Sequence, residues 1–299
     1  MKKAKFIINA AVGKQDVLYQ IESIIGCLIL NQVVNHVDVA YTHKENDAMI
    51  EAMKMQKGEY DFVTAVGGDG TVHDVINGVI RGCNETPVAV ISAGTANSFA
   101  SLLNLANDRD SFCKMCMKMK TISIDVGKIN DKYFVNSAAC GTLAGNAFET
   151  SVQSKAVFGK MAYFIEGAKS MPKQKMKTVK LKFSSKEFNE VKETALFVAR
   201  NSGSLYGNKN GDVTKMMTDG YLDILIIEKI DLINIPGLFI KFMQGDHLNA
   251  PGITYFRTKS LDVSQESGQP LTIDFDKERY GQLPVHIESV KKAVKIIIP

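Results

Sequence analysis

Three short stretches of this chain carry residue types that could do chemistry together: "GGDGT" at 67–71, "SAGTAN" at 92–97 and "NAAVGKQ" at 9–15. Glycines at 67, 68 and 70 surround Asp69, so positive φ angles are allowed and backbone N–H groups can face a ligand. The loop opens a helical pattern, and a helix N-terminus favours anions. An anion site that also carries a carboxylate makes sense when a divalent cation bridges the two, as in sites for nucleotides bound with Mg2+. The simpler reading makes Asp69 an N-cap in a tight turn. A second loop of glycine and hydroxyl residues after the next strand favours phosphate binding. No GxxxxGK[ST] loop and no GxGxxG fingerprint occurs, which argues against ordinary P-loop and Rossmann dinucleotide chemistry.

The elements that position these loops follow from hydrophobic periodicity. "KFIINA", "HVDVAY", "DFVTAV" and "PVAVIS" read as strands. Helical patterns lie between and after them at 15–31, 45–57 (with Ala48, Ala52 and Met55 inward), 71–81 and 96–103. Strand and helix in alternation predict βαβ units, a parallel sheet and helices on both faces. Ligands of such sheets bind outside the carboxyl ends of the strands, where all three loops fall. After "TISIDVGKI" the texture changes to short strands parted by turns: "KYFVNSAACG", "KTVKLKF", "TALFVARN", "GYLDILIIE", "LDVSQ", "LTIDF" and "AVKIIIP". Only 157–170 and 232–245 look helical there. The fold class is therefore α/β plus all-β: a doubly wound, Rossmann-like domain over 1–126, then a mostly antiparallel β-sandwich over 127–299. The last strand is free to stay in the second domain or to return to the first.

Bulk properties restrict the function. The 299 residues suit one large or two medium domains, and a formal net charge of +4 is too weak to argue for nucleic acid. No run of ~18 uncharged apolar residues predicts a transmembrane helix. The start "MKKAKFIINA" is too short and lacks a cleavage site for a signal peptide, so it reads as a strand. Five cysteines form no disulfide or zinc framework, and Cys113 with Cys116 reads as helix packing. Free thiols suit a reducing cytoplasm. Lysines 169, 173, 175, 177, 180, 182 and 186 crowd one segment, read either as a solvated strand edge or as a patch for anionic lipid. The five histidines show no metal-ligand spacing.

"GGDGTVHDVINGV" followed by "SAGTANSFA" resembles the catalytic domain of the diacylglycerol kinase family, in its bacterial soluble lipid kinase branch. The likeness extends to "IINAAVGK", "YTHKENDA", "ISIDVGKINDKYFVNSAACG", "FGKMAYF", "TDGYLDILII" and "DFDKERYGQLPVHI", in order. The resemblance implies a phosphofructokinase/NAD-kinase-like first domain, ATP and Mg2+ as cofactors, and a membrane lipid alcohol as phosphoryl acceptor. It implies that Gly67, Gly68, Gly70 and Thr71 hold nucleotide phosphates, with Thr95 and Asn97 from the next loop. Asn9, Lys14 and Thr42 would line the nucleotide side, and Lys160 would sit near the phosphates. Asp69 would position Mg2+, with Asp125 nearby. Asp276 would be the general base, supported by Glu278. Asp219 with the Tyr221 backbone would match a structural Mg2+ site. A cytoplasmic enzyme that visits the inner membrane face, and a homodimer through the second domain, are consistent with the family.

The chain departs from the family pattern at several positions. Ser98 stands where a metal-network aspartate is usual, and Lys277 replaces a glycine beside Asp276. The first loop reads Asn9, Ala10, Ala11, Val12, Gly13 and lacks one phosphate-facing hydroxyl. "SGSLYGNKNG" replaces a glycine run, and His73 and Asp74 replace asparagine and glutamate. Two alternatives follow: a catalytically weakened relative that binds nucleotide or lipid, and an NAD kinase, whose loops share the GGDG pattern.

Overall fold

The apolar run behind the first lysines becomes strand β1 (Lys3–Asn9). The structure is a computed structural model describing residues 2–12, 15–95, 97–106, 108–141, 178–201, 213–228, 250–266, 268, 270–276 and 278–299, with the backbone alone at 12, 15–17 and 278–280. Two units divide the chain, Met1–Asp125 with Lys291–Pro299, and Val126–Val290.

In the first unit β1 lies between β2 (His36–Thr42) and β3 (Phe62–Gly67), and β3 pairs with β4 (Val88–Ser92). The end of β15 (Val285–Ile297) adds to β4 through Ile296 and Val88. All these pairings are parallel. All six residues of β3 are buried, as a parallel strand covered on both faces requires. Ala4, Phe6 and Ile8 pack on one face against Ile21, Ile24 and Leu28 of α1 (Gln15–Leu30) and Phe112, Cys113 and Cys116 of α5 (Arg109–Lys118). The CxxC pair is thus core packing.

Lys5 alternates to the opposite face and reaches α2 (Asp47–Met53), donating to Glu51 Oε2 at 3.0 Å and to its carbonyl at 3.1 Å. Helix α3 (Asp69–Arg81) packs against α2 and buries Val72, Val75, Ile76 and Val79, an i, i+3, i+4, i+7 stripe. At the crossing, a Cβ on Gly78 would lie 2.4 Å from the Met49 carbonyl, so only glycine lets the two helices meet. The 45–57 pattern contracts to seven residues, although Ala48, Ala52 and Met55 are buried as the spacing predicts. The 96–103 pattern becomes α4 (Ser98–Leu102). The start of α3 moves the other way, two residues earlier than 71, which brings Asp69 and Gly70 into its first turn.

Strand β5 (Thr121–Ile129) leaves the first unit after Asp125. The second unit continues with β6 (Lys132–Phe134), β7 (Ser137–Cys140), β8 (Val179–Ser184), β9 (Asn189–Arg200), β10 (Leu222–Glu228), β11 (Ile253–Thr258), β12 (Ser260–Gln265), β13 (Thr272–Phe275) and β14 (Glu278–Gln282). Pairing runs β14-β13-β7-β9-β8-β12 and on to the first part of β15, with β10 on β9 and β11 on β10, all antiparallel. Phe183, Phe197, Phe275, Leu222, Ile224 and Ile287 are among the buried residues of its sandwich core. The strand list read from sequence lacks β11 and β14. Five of the six β11 residues are half-buried, so no inside–outside alternation marks it, and "ERYGQ" is charged and carries a glycine.

One expectation about the lysine-rich segment fails. Val179, Leu181 and Phe183 do alternate with exposed Lys180 and Lys182, but β8 is no edge: β9 and β12 flank it on both sides. Lys180 is accommodated by cross-strand Glu193, an opposite charge on the same face. Lys169, Lys173, Lys175 and Lys177 lie outside the described residues, as do the helical patterns at 157–170 and 232–245. Among the described residues no helix is long and apolar enough to cross a membrane.

Candidate active site

Parallel register brings four strand ends level in the first unit. Asn9 ends β1, Thr42 ends β2, Gly67 ends β3 and Ser92 ends β4, with Asn9 opposite Thr42 and Gly67 opposite Ser92. Asn9 Nδ2 donates to Thr71 Oγ1 at 3.2 Å, and its Oδ1 accepts from the Ala11 N–H at 2.9 Å. Thr42 is buried and its hydroxyl turns back to the Ile8 carbonyl at 3.4 Å.

The glycines work differently from the sequence expectation. None of Gly67, Gly68 and Gly70 adopts a positive φ; Gly68, the N-cap of α3, is extended at φ −84°. Close approach instead requires glycine at Gly67 and, in the second loop, at Gly94. A Cβ on Gly67 would stand 2.3 Å from Thr71 Oγ1, and one on Gly94 would stand 2.5 Å from Gly68 Cα. The "GGDG" and "SAGTAN" backbones therefore touch. Gly70 faces open space. Within the second loop Asn97 adopts the left-handed conformation (φ 50°), accepts the Gly94 N–H at 3.0 Å and donates to the Gly94 carbonyl at 2.9 Å. Thr95 is exposed.

Asp69 is not an N-cap but the first residue of α3, and it is buried. Its Oδ1 accepts the N–H of Phe99 at 3.2 Å, so the carboxylate meets an amide in the first turn of α4 and ties the two loops together. Sequence reasoning missed Phe99, because a backbone amide leaves no signal in residue type. Ser98, beside it, opens α4 and is half-buried. Asp125, also buried, accepts the Lys292 N–H at 2.7 Å, where the chain re-enters the first unit at a positive φ of 51°. Asn9, Thr42, Gly67, Gly68, Asp69, Thr71, Gly94 and Asn97 are thus gathered at one sheet edge, whereas Asp125 is fixed to the returning strand. Lys14 and Lys160 lie outside the described residues.

In the second unit Asp276 follows β13 at a positive φ of 40° and is buried. Three successive amides hold its carboxylate: Val135, Asn136 at 3.0 Å and Ser137 at 2.9 Å. Glu278 begins β14, its side chain being outside the described set, as is Lys277. Asp219 accepts the Tyr221 N–H on Oδ1 at 2.9 Å and an Arg257 Nη2–H on Oδ2. Arg257 also donates through Nε to Asp223 at 3.0 Å and stacks 5.2 Å from the centre of the Tyr221 ring. Burial pushes the Asp223 carboxyl above its ordinary value, against its Tyr255 and Arg257 hydrogen bonds. Across the sheet Arg200 pairs with Asp223, and burial lowers the guanidinium from its ordinary value.

The first site fits a nucleotide phosphate with one Mg2+. Its cradle is backbone that a Cβ would fill, it opens a helix, and it holds one buried carboxylate. Among the described residues no three His, Cys, Asp or Glu side chains are grouped as a metal site. Mg2+ keeps several waters and takes one or two carboxylates plus substrate phosphates, a role the single buried Asp69 could fill. At Asp219 the fit fails, because both oxygens already have donors and one of these is a fixed cation.

Fold and site together define an α/β unit with two glycine-rich loops in contact at the carboxyl ends of its strands, followed by a β-sandwich unit. Residues 3–129 match the diacylglycerol kinase catalytic domain, and residues 141–298 match the YegS C-terminal NAD kinase beta sandwich-like domain. The chain belongs to the diacylglycerol kinase family, kinases with an alcohol acceptor. It is similar to the diacylglycerol kinase of Staphylococcus epidermidis, 30% identical over 299 residues, covering all of this chain and 92% of the relative. That of Staphylococcus haemolyticus is 29% identical, with 100% and 88% covered. The crystal structure of a diacylglycerol kinase from Bacillus anthracis str. Sterne shares the fold at a TM-score of 0.73 and 20% identity, covering 100% of this chain and 97% of that one.

Proposed function

We propose that the protein transfers the γ-phosphoryl group of ATP, bound with Mg2+, to the hydroxyl of a membrane lipid, with diacylglycerol giving phosphatidic acid as the leading reaction. The observation that carries this reading is the backbone contact of Gly68 with Gly94, which sets the N-terminus of α3 against the loop after β4 with Asp69 between them. Amides of Gly67, Gly68 and Gly70 and the hydroxyl of Thr71 hold the phosphates, joined by Thr95 and Asn97. Asn9, Lys14 and Thr42 line the nucleotide side, and Lys160 serves the phosphates. Asp69 orients Mg2+, with Asp125 in support. Bound Mg2+ would neutralise charge on the phosphate oxygens, and most of the remaining catalysis is positioning.

Asp276, assisted by Glu278, takes the acceptor proton. Its amide donors hold the carboxylate in a fixed orientation, and it exchanges one of them for the substrate hydroxyl. In a loose transition state the proton leaves late, so modest basicity is enough. The enzyme works at the cytoplasmic face of the membrane as a peripheral protein. Exposed Lys180 and Lys182 favour an anionic surface by roughly 1 kcal/mol each when close to it.

A second reading, a binding protein without turnover, draws on Ser98, which puts no carboxylate beside Asp69 at the start of α4. Labelled ATP offered with diacylglycerol micelles, or with NAD, decides the matter. Transfer to the lipid is expected. Transfer only to NAD overturns the reading, and ATP binding without transfer to any of a panel of membrane lipids favours the second one.

A further inference from the structure

Arg200, Asp223 and Arg257 form a row across β9, β10 and β11, each the direct cross-strand neighbour of the next. The central carboxylate is buried, and one of its oxygens, Oδ2, has no hydrogen-bond partner. The other, Oδ1, receives the Tyr255 hydroxyl and Arg257 Nε. Arg257 extends from this row to Asp219 in the turn before β10, where Gly220 takes a positive φ of 79° and the Tyr221 N–H closes the turn on the same carboxylate. One guanidinium therefore spans two carboxylates and covers the ring of the residue between them, with Lys259 5.3 Å from the ring centre.

We infer that Arg257 is the built-in cation of this turn and that the Asp219 site holds no metal ion. A cation placed there has two tasks: to neutralise Asp219 and to tie the turn to the sheet. The planar fork of arginine does both, through Nη2 to the turn and Nε to the strand, and it cannot be lost by deprotonation. A divalent ion would have to displace a guanidinium that is bound to both carboxylates. It would also add charge beside Arg200 and Lys259, within reach of the same row. The second unit thus needs no metal for its own stability. The inference rests on side chains of that unit alone, so it stands or falls separately from the kinase reading.

Mn2+ binding to the nucleotide-free protein, followed by electron paramagnetic resonance, tests it together with melting temperature in Mg2+ or excess EDTA. For the wild type and Asp219→Asn, equal Mn2+ stoichiometry and no EDTA effect on melting that depends on Asp219 are expected. Arg257→Gln should melt lower and bind one Mn2+ more than the wild type. Added metal should restore part of its melting temperature, and the double variant with Asp219→Asn should lose both effects. Mn2+ held by the wild type and lost in Asp219→Asn overturns the inference, and this comparison remains decisive if Arg257→Gln does not fold. Mn2+ bound only with ATP and lost in Asp69→Asn belongs to the first unit, and leaves the expected equality of wild type and Asp219→Asn intact.

Discussion

Gly94→Ala tests the candidate site through a single methyl group. The added Cβ would stand 2.5 Å from Gly68 Cα and 3.0 Å from Asn97 Oδ1, and both belong to the proposed phosphate cradle. Ordinary contact begins at 3.4 Å, so Gly68 Cα must retreat from the added Cβ by about 0.9 Å. No flexible side chain can absorb this, because the atom struck is backbone at the N-cap of α3. Overpacking of this kind destabilises by about 1–3 kcal/mol. Displacing reacting groups by ~1 Å reduces turnover by roughly 10²-fold. Initial rates of lipid phosphorylation against ATP concentration, with a melting curve for the same preparation, separate the two effects. Gly26→Ala, in the interior of α1 with no atom near its added Cβ, is the control: it should stabilise by about 0.5–1 kcal/mol and leave the rate unchanged. A folded Gly94→Ala protein with wild-type kcat and wild-type KM for ATP refutes the argument that these loops hold the phosphates.

Asp69→Asn keeps an acceptor for the Phe99 N–H but removes the charge, so transfer should fall by roughly 10²-fold or more while melting changes little. Ser98→Asp should raise transfer by up to about tenfold, and an unchanged rate would mean that position 98 has no part in the metal network. Lys54 and Lys5 donate to Glu51 and hold its carboxyl below the ordinary 4.5. Because the folded value is depressed, the pair's stabilisation is complete above pH 4.5 and is lost as pH falls through that lower value. The melting advantage of the wild type over Glu51→Gln should accordingly be constant down to about pH 4.5 and shrink below it. Iodoacetamide should label exposed Cys83 in the native protein. It should spare Cys113, whose thiol burial and Cys27 push up to about 12, and also Cys116 and Cys140, raised by burial, until the chain unfolds. Peptide mass spectrometry reads the order.

The first unit was legible because each of its elements has one dominant signal. β3 is apolar at every position but Thr64 and Gly67, α3 has a clean apolar stripe, and the loops fall between them. Length was less legible than type: α2 stops at Met53 although the apolar spacing continues to Met55. The second unit was less readable, because neighbours there override local pattern. β8 looks like an edge by its lysines, yet Glu193 across the strand makes a central place tolerable. The destination of the last strand was open, since "AVKIIIP" suits a strand of either unit; from Lys291 on it belongs to the first. The glycines of the cradle were visible, but their reason was not. Residue type permits positive φ and close approach alike, and only the backbone separation of Gly68 and Gly94 tells them apart.

The carboxylates make the same point in chemical terms. Asp69, Asp125, Asp219 and Asp276 each accept at least one backbone N–H, from Phe99, from Lys292, from Tyr221 and from Val135, Asn136 and Ser137. Amide donors fix the orientation of such groups, so four aspartates that look alike in sequence are four oriented carboxylates in the fold. What separates them is the second partner. Asp219 meets a guanidinium, and Asp276 has amides on both oxygens. Asp69 alone stands where backbones from two loops meet at a helix N-terminus, the surroundings that favour phosphate oxygens and the ion accompanying them. The discriminating feature is therefore not the acid but the absence of a Cβ at positions 67 and 94 around it. For this reason the glycine substitution probes the site more directly than removal of any carboxylate.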